Sequence, residues 1–434
     1  MARWLSVLLV PLLVAMHCLF VWTKRVCVVG GSGRVGGSCV SSLLRRKGDI
    51  LSKVTVVGRS RDNFNEFIRR NSKNSVELKN KVSFDSIDIS DAPTMRQYIS
   101  TNKFDLVVNT AGPFQGLDDN ELLKCCLASG TNYIDVCDDI ELSRQCRSEE
   151  YQLLAKEGNA IGIISAGIWP GVSSLLAKNL INSAKKKNLD VDECRFTFFT
   201  AGSGGAGETI LTATFLLLGE DVLAYENGKA TYSFPGTKTL LADFGPEIGP
   251  RKVANLNLIE CESCFVSNLG TVKNVSTYFG TAPGFWNDLF VLMTLFPKKL
   301  LQNRYNIIFI AHLVSYPSYL TYSLMHRKLM QKFAALSLPL VRLVDLLVGS
   351  KNGIRVDIRT SDGGTKFALL THKDLEDAVG KALSLFAEQV LFNTAVGKAS
   401  KRGVFFPEEI ENDEYLEYIL KNISVDDNNC IKCE

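Results

Sequence analysis

The stretch Arg25-Val26-Cys27-Val28-Val29-Gly30-Gly31-Ser32-Gly33-Arg34-Val35-Gly36-Gly37 decides the fold. A short apolar run, rich in valine, enters a cluster of glycines. Apolar or small residues then recur at helical spacing at Val35, Cys39, Leu43 and Leu44. An uninterrupted apolar run bounded by glycine is the pattern of a strand buried on both faces. Gly31-Ser32-Gly33-Arg34-Val35-Gly36 fits G-x-G-x-x-G in the setting its chemistry needs, after a strand and at the opening of a helix. The first glycine serves a tight turn, the second lets backbone approach a pyrophosphate, and the third allows close helix-to-strand packing. The helix start adds free N–H groups and a positive dipole end for the anion. Gly30, Gly31, Ser32, Gly33, Arg34, Val35 and Gly36 are therefore the candidate phosphate loop of a dinucleotide site.

Outward from this loop the pattern alternates. Residues 54–57, 82–89, 106–109, 133–136 and 160–164 read as further strands, and 35–46, 63–70, 93–100, 119–129 and 149–157 as helices. Such alternation implies a parallel sheet with right-handed crossovers. The second strand runs into Gly58-Arg59-Ser60-Arg61. An NAD site places an acid there for the ribose 2′-hydroxyl, whereas a guanidinium pairs with a 2′-phosphate and stacks on adenine. Arg59, with Ser60 beside it, therefore favours NADP over NAD, the plainer reading being a solvated arginine. Asp88 is expected to end the third strand, near the adenine amine or equally as a surface-turn acid. Ala111, Gly112 and Pro113 follow the fourth strand and can pass beside the nicotinamide-side phosphate and ribose. Asp135 and Asp138 follow the fifth, where carboxylates face the ligand crevice and can hold an ammonium or relay a proton. Helix capping by Asp138 or Asp139 is the competing reading.

The pattern changes after residue 166. Residues 195–200, 229–234, 253–257, 275–279 and 354–360 read as strands of a second sheet, interrupted by a helix at 209–218. A glycine-rich loop at 202–208 offers N–H groups to a substrate carboxylate, or is only a turn. Residues 374–394 read as a long helix returning to the first domain. The division is thus 1–23 as a hydrophobic targeting or anchor segment, 24–165 as a Rossmann domain, 166–373 as an α+β substrate and dimerisation domain, and 374–434 as the returning helix and tail.

Composition narrows the function classes. The chain has 434 residues, 46% apolar and 22% charged, which suits two folded domains. A net charge of +3 argues against a dedicated nucleic-acid binder. Twelve cysteines, several at core positions, read as reduced thiols. The pairs Cys261/Cys264 and Cys430/Cys433 lack histidines in zinc-finger spacing, so free thiols are preferred over a metal site. Residues 4–22 carry no charge and reach the length of a membrane span, equally a removable targeting segment or an anchor. A second apolar stretch near 303–328 is flanked by basic residues. It reads as a helical hairpin or dimer contact ahead of a membrane-surface element.

Together these residues resemble the saccharopine dehydrogenase family, in its plant and algal plastid-type branch. The likeness rests on Val28 to Gly37, Val57-Gly58-Arg59, Asn109 to Phe114, Gly130 to Asp139 and Ala166-Gly167-Ile168-Trp169-Pro170-Gly171. Gly204-Gly205-Ala206-Gly207, Phe215 to Glu220 and Phe279 to Pro283 extend it. The resemblance implies an N-terminal Rossmann domain with an inserted α+β domain for substrate recognition and dimer contacts. It implies hydride transfer to or from an imine, relatives reducing other imines or enoyl groups on lipids. A set of lysine- and glutarate-binding arginines is not matched in the second domain, and 1–23 and 303–328 depart from the family pattern. The expectation is an NADP-dependent oxidoreductase acting on a C=N or C=C bond of a small molecule or lipid. It is expected as a homodimer in a plastid or at a membrane, the cytoplasm being the alternative. The rival expectations are a non-catalytic dinucleotide-binding protein at a membrane and a lipid-directed enoyl reductase.

Overall fold

The computed structural model describes residues 24–424 apart from 49, 72–79, 116, 202–216, 219, 269, 283, 285–348 and 393–401, together with the backbone of 430–433. The expectations for 4–22, 202–208 and 303–328, and for all but the last two residues of 209–218, lie outside the described residues.

The first sheet grows from the apolar runs. Strands β1 (Lys24–Val29), β2 (Leu51–Gly58), β3 (Val82–Ser86), β4 (Leu106–Asn109), β5 (Asn132–Asp135) and β6 (Ile161–Ile163) alternate with helices. These are α1 (Arg34–Lys47), α2 (Arg61–Asn71), α3 (Ala92–Asn102), α4 (Glu121–Ala128), α5 (Ile140–Cys146) and α6 (Glu149–Glu157). Helices cover both faces, so Val26, Val28, Val54, Val56, Leu106 and Val108 are all fully buried. Local signals start the helices. Asn120 caps α4 through the Leu123 N–H, Asp139 caps α5 through the Leu142 N–H at 2.7 Å, and Asp91 with Pro93 opens α3. The order is β15-β6-β5-β4-β1-β2-β3, with all pairs parallel. Reversal between β1 and β4 opens a crevice at the carboxyl ends of the strands, the ligand position of doubly wound sheets. The seventh strand, β15 (Gly403–Phe405), arrives from far along the chain.

Helix α7 (Val172–Lys185) leads into a second, mixed sheet. Its strands are β7 (Val191–Ala201), β8 (Val222–Glu226), β9 (Lys229–Ser233), β10 (Thr239–Asp243), β11 (Pro250–Asn255), β12 (Asn274–Ala282), β13 (Lys351–Thr360), β14 (Thr365–His372) and β16 (Cys430–Cys433). The order is β10-β11-β12-β7-β13-β14-β16, with β8 paired to β12 and β9 to β8. Cys194, Phe196, Phe198, Ile354, Val356 and Leu370 join the main core on the inner face, under α7 and α8 (Ile259–Ser267). Phe199, Phe244, Ile248 and Leu369 form a separate cluster on the outer face.

The chain then returns. Helix α9 (Leu375–Phe392) lies along α1, where Ser42 Oγ and Ser384 Oγ share a 2.7 Å hydrogen bond. Gly380 permits this approach: a Cβ there would sit 2.5 Å from the Cβ of Ser38. Past β15, a single turn at Pro407–Glu409 and helix α10 (Asp413–Ile423) close the first domain.

Candidate active site

The phosphate loop is built by close approach. Gly30 takes φ +76°, a left-handed conformation, and a side chain there would meet Thr110 Oγ1 at 2.8 Å. At Gly36 a Cβ would lie 2.6 Å from Thr110 Oγ1 and 2.7 Å from Gly31 Cα, so only glycine lets α1 start flush against the loop. Sequence logic gave the turn to Gly31. The structure gives it to Gly30, one residue earlier, and leaves Gly31 wedged between the Val28 carbonyl and Val56. Helix α1 begins after Gly33 with no side-chain cap and no acid in its first turn. Its leading N–H groups and dipole therefore face the crevice, the arrangement an anionic pyrophosphate needs. Ser32, Arg34 and Val35 complete the loop. Arg34 turns back, its Nε 2.9 Å from Glu376 Oε1 at the start of α9.

Arg59 leaves the end of β2 exposed to solvent, and no ion pair among the described residues claims its guanidinium. Ser60 is half-buried and accepts the Asn63 N–H at 3.2 Å, so its hydroxyl starts α2. Asp88 does not end a strand: β3 stops at Ser86. The Asp88 carboxylate accepts the backbone N–H and hydroxyl of Ser90 at 3.0 and 2.7 Å, a surface turn. Those bonds, helped by the positive field of Arg59, lower its pKa. Asp88 and Arg59 are thus neighbours beyond the ends of β2 and β3.

On the other side of the crevice, Ala111-Gly112-Pro113 follows β4, with a cis bond between Gly112 and Pro113. Asn109 Oδ1 accepts the Ala111 N–H at 3.0 Å and shapes the loop. Asp135 has no exposed surface. It accepts the N–H of Cys137 at 3.0 Å and of Ser165 at 2.9 Å, and Asn120 Nδ2 at 3.4 Å. Tyr133 is equally buried, its hydroxyl accepting from Asn109 and Asn120. These four side chains form a closed net tying the ends of β4, β5 and β6 to the start of α4. Asp135 braces this net from a fully buried position. Burial still raises its carboxyl to about 6.

Asp138 keeps part of its surface open and accepts Gln115 Nε2 at 2.7 Å. Burial, then the charge of Asp139, pushes its carboxyl to about 6. Glu220 and Glu260 sense its field, and both are pushed to about 7, mainly by burial. Glu220 accepts Asn257 Nδ2 at 2.8 Å and Glu260 accepts Ser173 Oγ at 2.9 Å. Asp138 therefore sits with Glu220 and Glu260 in a group of carboxyls raised by burial at the join of the two domains. Gln115, its partner, carries no sequence signal of its own.

The loop 166–171 carries Trp169 onto the second sheet, stacked on Phe198 at 4.8 Å and Phe279 at 5.7 Å between ring centroids. Gly167 lies beside Val136 and Val379, and a Cβ there would crowd the Pro170 carbonyl at 3.0 Å. A cleft of about 360 Å3 elsewhere, lined by Glu193, Tyr225, Asn274 and Arg359, includes none of the dinucleotide-loop residues. Cys261 and Cys264 are buried free thiols on α8. No group of metal-ligating side chains occurs among the described residues, and no helix among them is long and apolar enough to cross a membrane.

Comparison with known proteins follows this geometry. Residues 26–161 match the saccharopine dehydrogenase NADP binding domain. No curated protein matches the chain. The structure is similar to apo saccharopine dehydrogenase (L-Glu forming) from Saccharomyces cerevisiae, at TM-score 0.60 and 15% identity, covering 95% of this chain and 100% of that one. At this identity the likeness speaks to the fold. A meso-dapdh mutant from Clostridium tetani (TM-score 0.39, 14% identity, 91% and 96% covered) and a probable dehydrogenase from Thermotoga maritima (0.37, 11%, 91% and 94%) are too distant in shape to add to it. Residues 26–161 are accordingly an NADP-binding domain of the saccharopine dehydrogenase type, joined to a second, mixed-sheet domain.

Proposed function

We propose that this protein is an NADPH-dependent oxidoreductase that moves a hydride to or from a C=N or C=C bond. The observation that carries the reading is the pairing of an uncapped α1 N-terminus behind Gly30 and Gly36 with an exposed Arg59 at the end of β2. The first suits a pyrophosphate and the second a 2′-phosphate, held by a charge-assisted bond. When bound, the nicotinamide supplies the hydride chemistry, and the chain supplies position and charge. The loop at Ala111, Gly112 and Pro113 and the aromatic face of Trp169 bound the substrate end. Asp138 is the group placed to give or take the accompanying proton. With its carboxyl near 6, both protonation states are populated around neutral pH, which general acid–base work needs.

The test is a fluorescence titration of the full chain with NADPH and with NADH. NADPH should bind more tightly. Arg59→Asp should weaken NADPH by roughly 10- to 100-fold while changing NADH by far less, since a hydrogen bond to a charged group is worth about 1.5–3 kcal/mol. Equal losses for both cofactors would remove Arg59 from the 2′-phosphate. Binding without turnover of any imine or enoyl compound would leave a dinucleotide-binding protein in place of an enzyme.

A further inference from the structure

Strand register brings four residues, distant in sequence, into one line. Thr281 pairs with Thr200, Thr200 with Asn352, and Asn352 with His372, across β12, β7, β13 and β14. Directly paired residues share a face of the sheet. This is the inner face, because Phe198, Ile354 and Leu370, two residues along each strand, belong to the main core. All four are nearly inaccessible: Thr281 is 9% exposed, Thr200 7%, His372 3% and Asn352 0%.

Burial normally comes with hydrogen bonds. For three of the four the bonding is incomplete. Among the described residues, the Thr200 hydroxyl, Asn352 Oδ1 and both nitrogens of His372 have no hydrogen-bond partner, and neither has the indole Nε1 of Trp169 one row away. The contacts that are made use the strand-end backbone: Asn352 donates Nδ2 to the Lys373 carbonyl at 2.8 Å, and the Asp374 backbone lies close enough to the His372 ring to favour its protonated form. An unmet buried donor or acceptor costs about 1–3 kcal/mol, so several in one line are a standing demand for a partner.

The line is also in the right place. Trp169 belongs to the loop that follows β6, held against Val136 at the end of β5. Just beyond His372, α9 begins, and its Glu376 holds Arg34 of the phosphate loop. Both ends of the row are thus tied to the carboxyl edge of the first sheet, where the crevice opens. Its chemistry is neutral. A hydroxyl, an amide oxygen and an imidazole offer donors and acceptors without a charge, burial lowering the His372 pKa to about 4.

We infer that Thr200, Asn352 and His372, beside Trp169, form a binding site for an uncharged hydrogen-bonding group, an amide, hydroxyl or carbonyl carried on an apolar body. Resting on the oxidoreductase reading, this makes the row the substrate's anchor. The substrate then presents a neutral polar group here, because none of the four paired residues offers a cation to a buried carboxylate. The aromatic stack of Trp169, Phe198 and Phe279 supplies the apolar wall.

Three isosteric probes test the inference: benzamide, benzoate and benzamidinium, the same ring with a neutral, a negative and a positive head. The full chain, labelled with 15N-histidine and saturated with NADPH, carries only four histidines, and His372→Asn assigns the signal. Benzamide should shift the His372 imidazole resonances saturably at millimolar concentration, at least about tenfold more tightly than either ion, since a buried unpaired charge is penalised. Thr200→Val should weaken benzamide about fivefold, the worth of one hydrogen bond, and leave NADPH binding unchanged. Benzoate binding as well as benzamide would overturn the inference. So would the lack of a saturable benzamide shift in protein that binds NADPH normally, which would make the row a hydrated interior. Failure of NADPH binding with benzamide still bound would sink the oxidoreductase reading and leave the neutral site standing.

Discussion

The two sheets handle buried polar side chains in opposite ways. At the carboxyl end of the first sheet, Asn109, Asn120, Tyr133 and Asp135 satisfy one another and the surrounding backbone N–H groups. In the second, Thr200, Asn352 and His372 are just as deeply buried, yet the Thr200 hydroxyl, Asn352 Oδ1 and the His372 ring nitrogens have no hydrogen-bond partner among the described residues. The first pattern is that of a part whose geometry must be fixed before a ligand arrives. The second is that of a surface that completes itself by contact. Closed networks rigidify and open ones carry a cost until something fills them, so the two patterns ask for different explanations.

The largest effect should come from opening the closed net. Asp135→Ala leaves the N–H groups of Cys137 and Ser165 and the Asn120 amide without their acceptor. It is expected to lower stability to urea by about 4 kcal/mol. Asp135→Asn keeps the shape and an oxygen, and should lose only about 1–2 kcal/mol while still binding NADPH. If the alanine variant were as stable as the parent, the net would not be holding the ends of β4, β5 and β6. Asp135 would then return as a candidate for proton handling.

Next comes the protonation of the domain join. Glu260 on α8 and Glu408 in the turn after β15 are both buried and raised to about 7, burial being the main cause. Glu408 and Asp138 add to the field at Glu260, and Glu409 opposes and Lys178 favours ionisation at Glu408. The folded protein therefore holds protons that the unfolded chain, with carboxyls near their ordinary values, releases. Stability from this source is complete below about pH 4.5 and is lost as pH rises toward 7, at most roughly 3 kcal/mol per group. Thermal melts between pH 5 and pH 8 should show Tm falling with pH. Glu260→Gln with Glu408→Gln should flatten that slope, and an unchanged slope would show that these carboxyls ionise normally in the fold.

Gly36→Ala sharpens the comparison from the cofactor side. Its Cβ would press on Thr110 Oγ1 and on the loop backbone, and overpacking of this kind costs about 1–3 kcal/mol. NADPH affinity should fall roughly 30-fold, with the second sheet's response to benzamide preserved. Loss of both together would mean that loop and receptor row form one unit.

What the sequence made legible follows the same division. β1, β2 and β4 are buried on both faces, so their continuous valine-rich runs declare them, and the glycine loop has a fixed local spelling. β15 is three residues long and becomes a strand only by pairing with β6, a partner hundreds of residues away. β10 alternates in burial, Leu240 and Ala242 turning inward, but its exposed face carries Leu241, 73% exposed, so the apolar residues do not alternate in the sequence. Asp135 reads as an acid at a strand end, and only Ser165, far along the chain, reveals it as a brace. Thr200, Asn352 and His372 sit on three strands in no shared motif. Register assembles them, and nothing in a linear pattern encodes it.

The smallest expected effect is the sharpest discriminator. Thr200→Val swaps a hydroxyl for a methyl group of similar shape inside the row. In a closed network such a change removes a bond and strands a partner, costing about 1–3 kcal/mol. In an open row it deletes an unmet group and adds apolar surface. Stability in urea should then stay within about 1 kcal/mol of the parent or rise slightly. A clear loss would mean that the Thr200 hydroxyl has a fixed partner in the native protein, and the contrast between a braced sheet and a receptive one would fail at its centre. A neutral or stabilising result, with benzamide weakened in the same variant, would tie the hydroxyl to ligand rather than to fold. That combination, stability kept and recognition lost, is what a residue kept for binding should give.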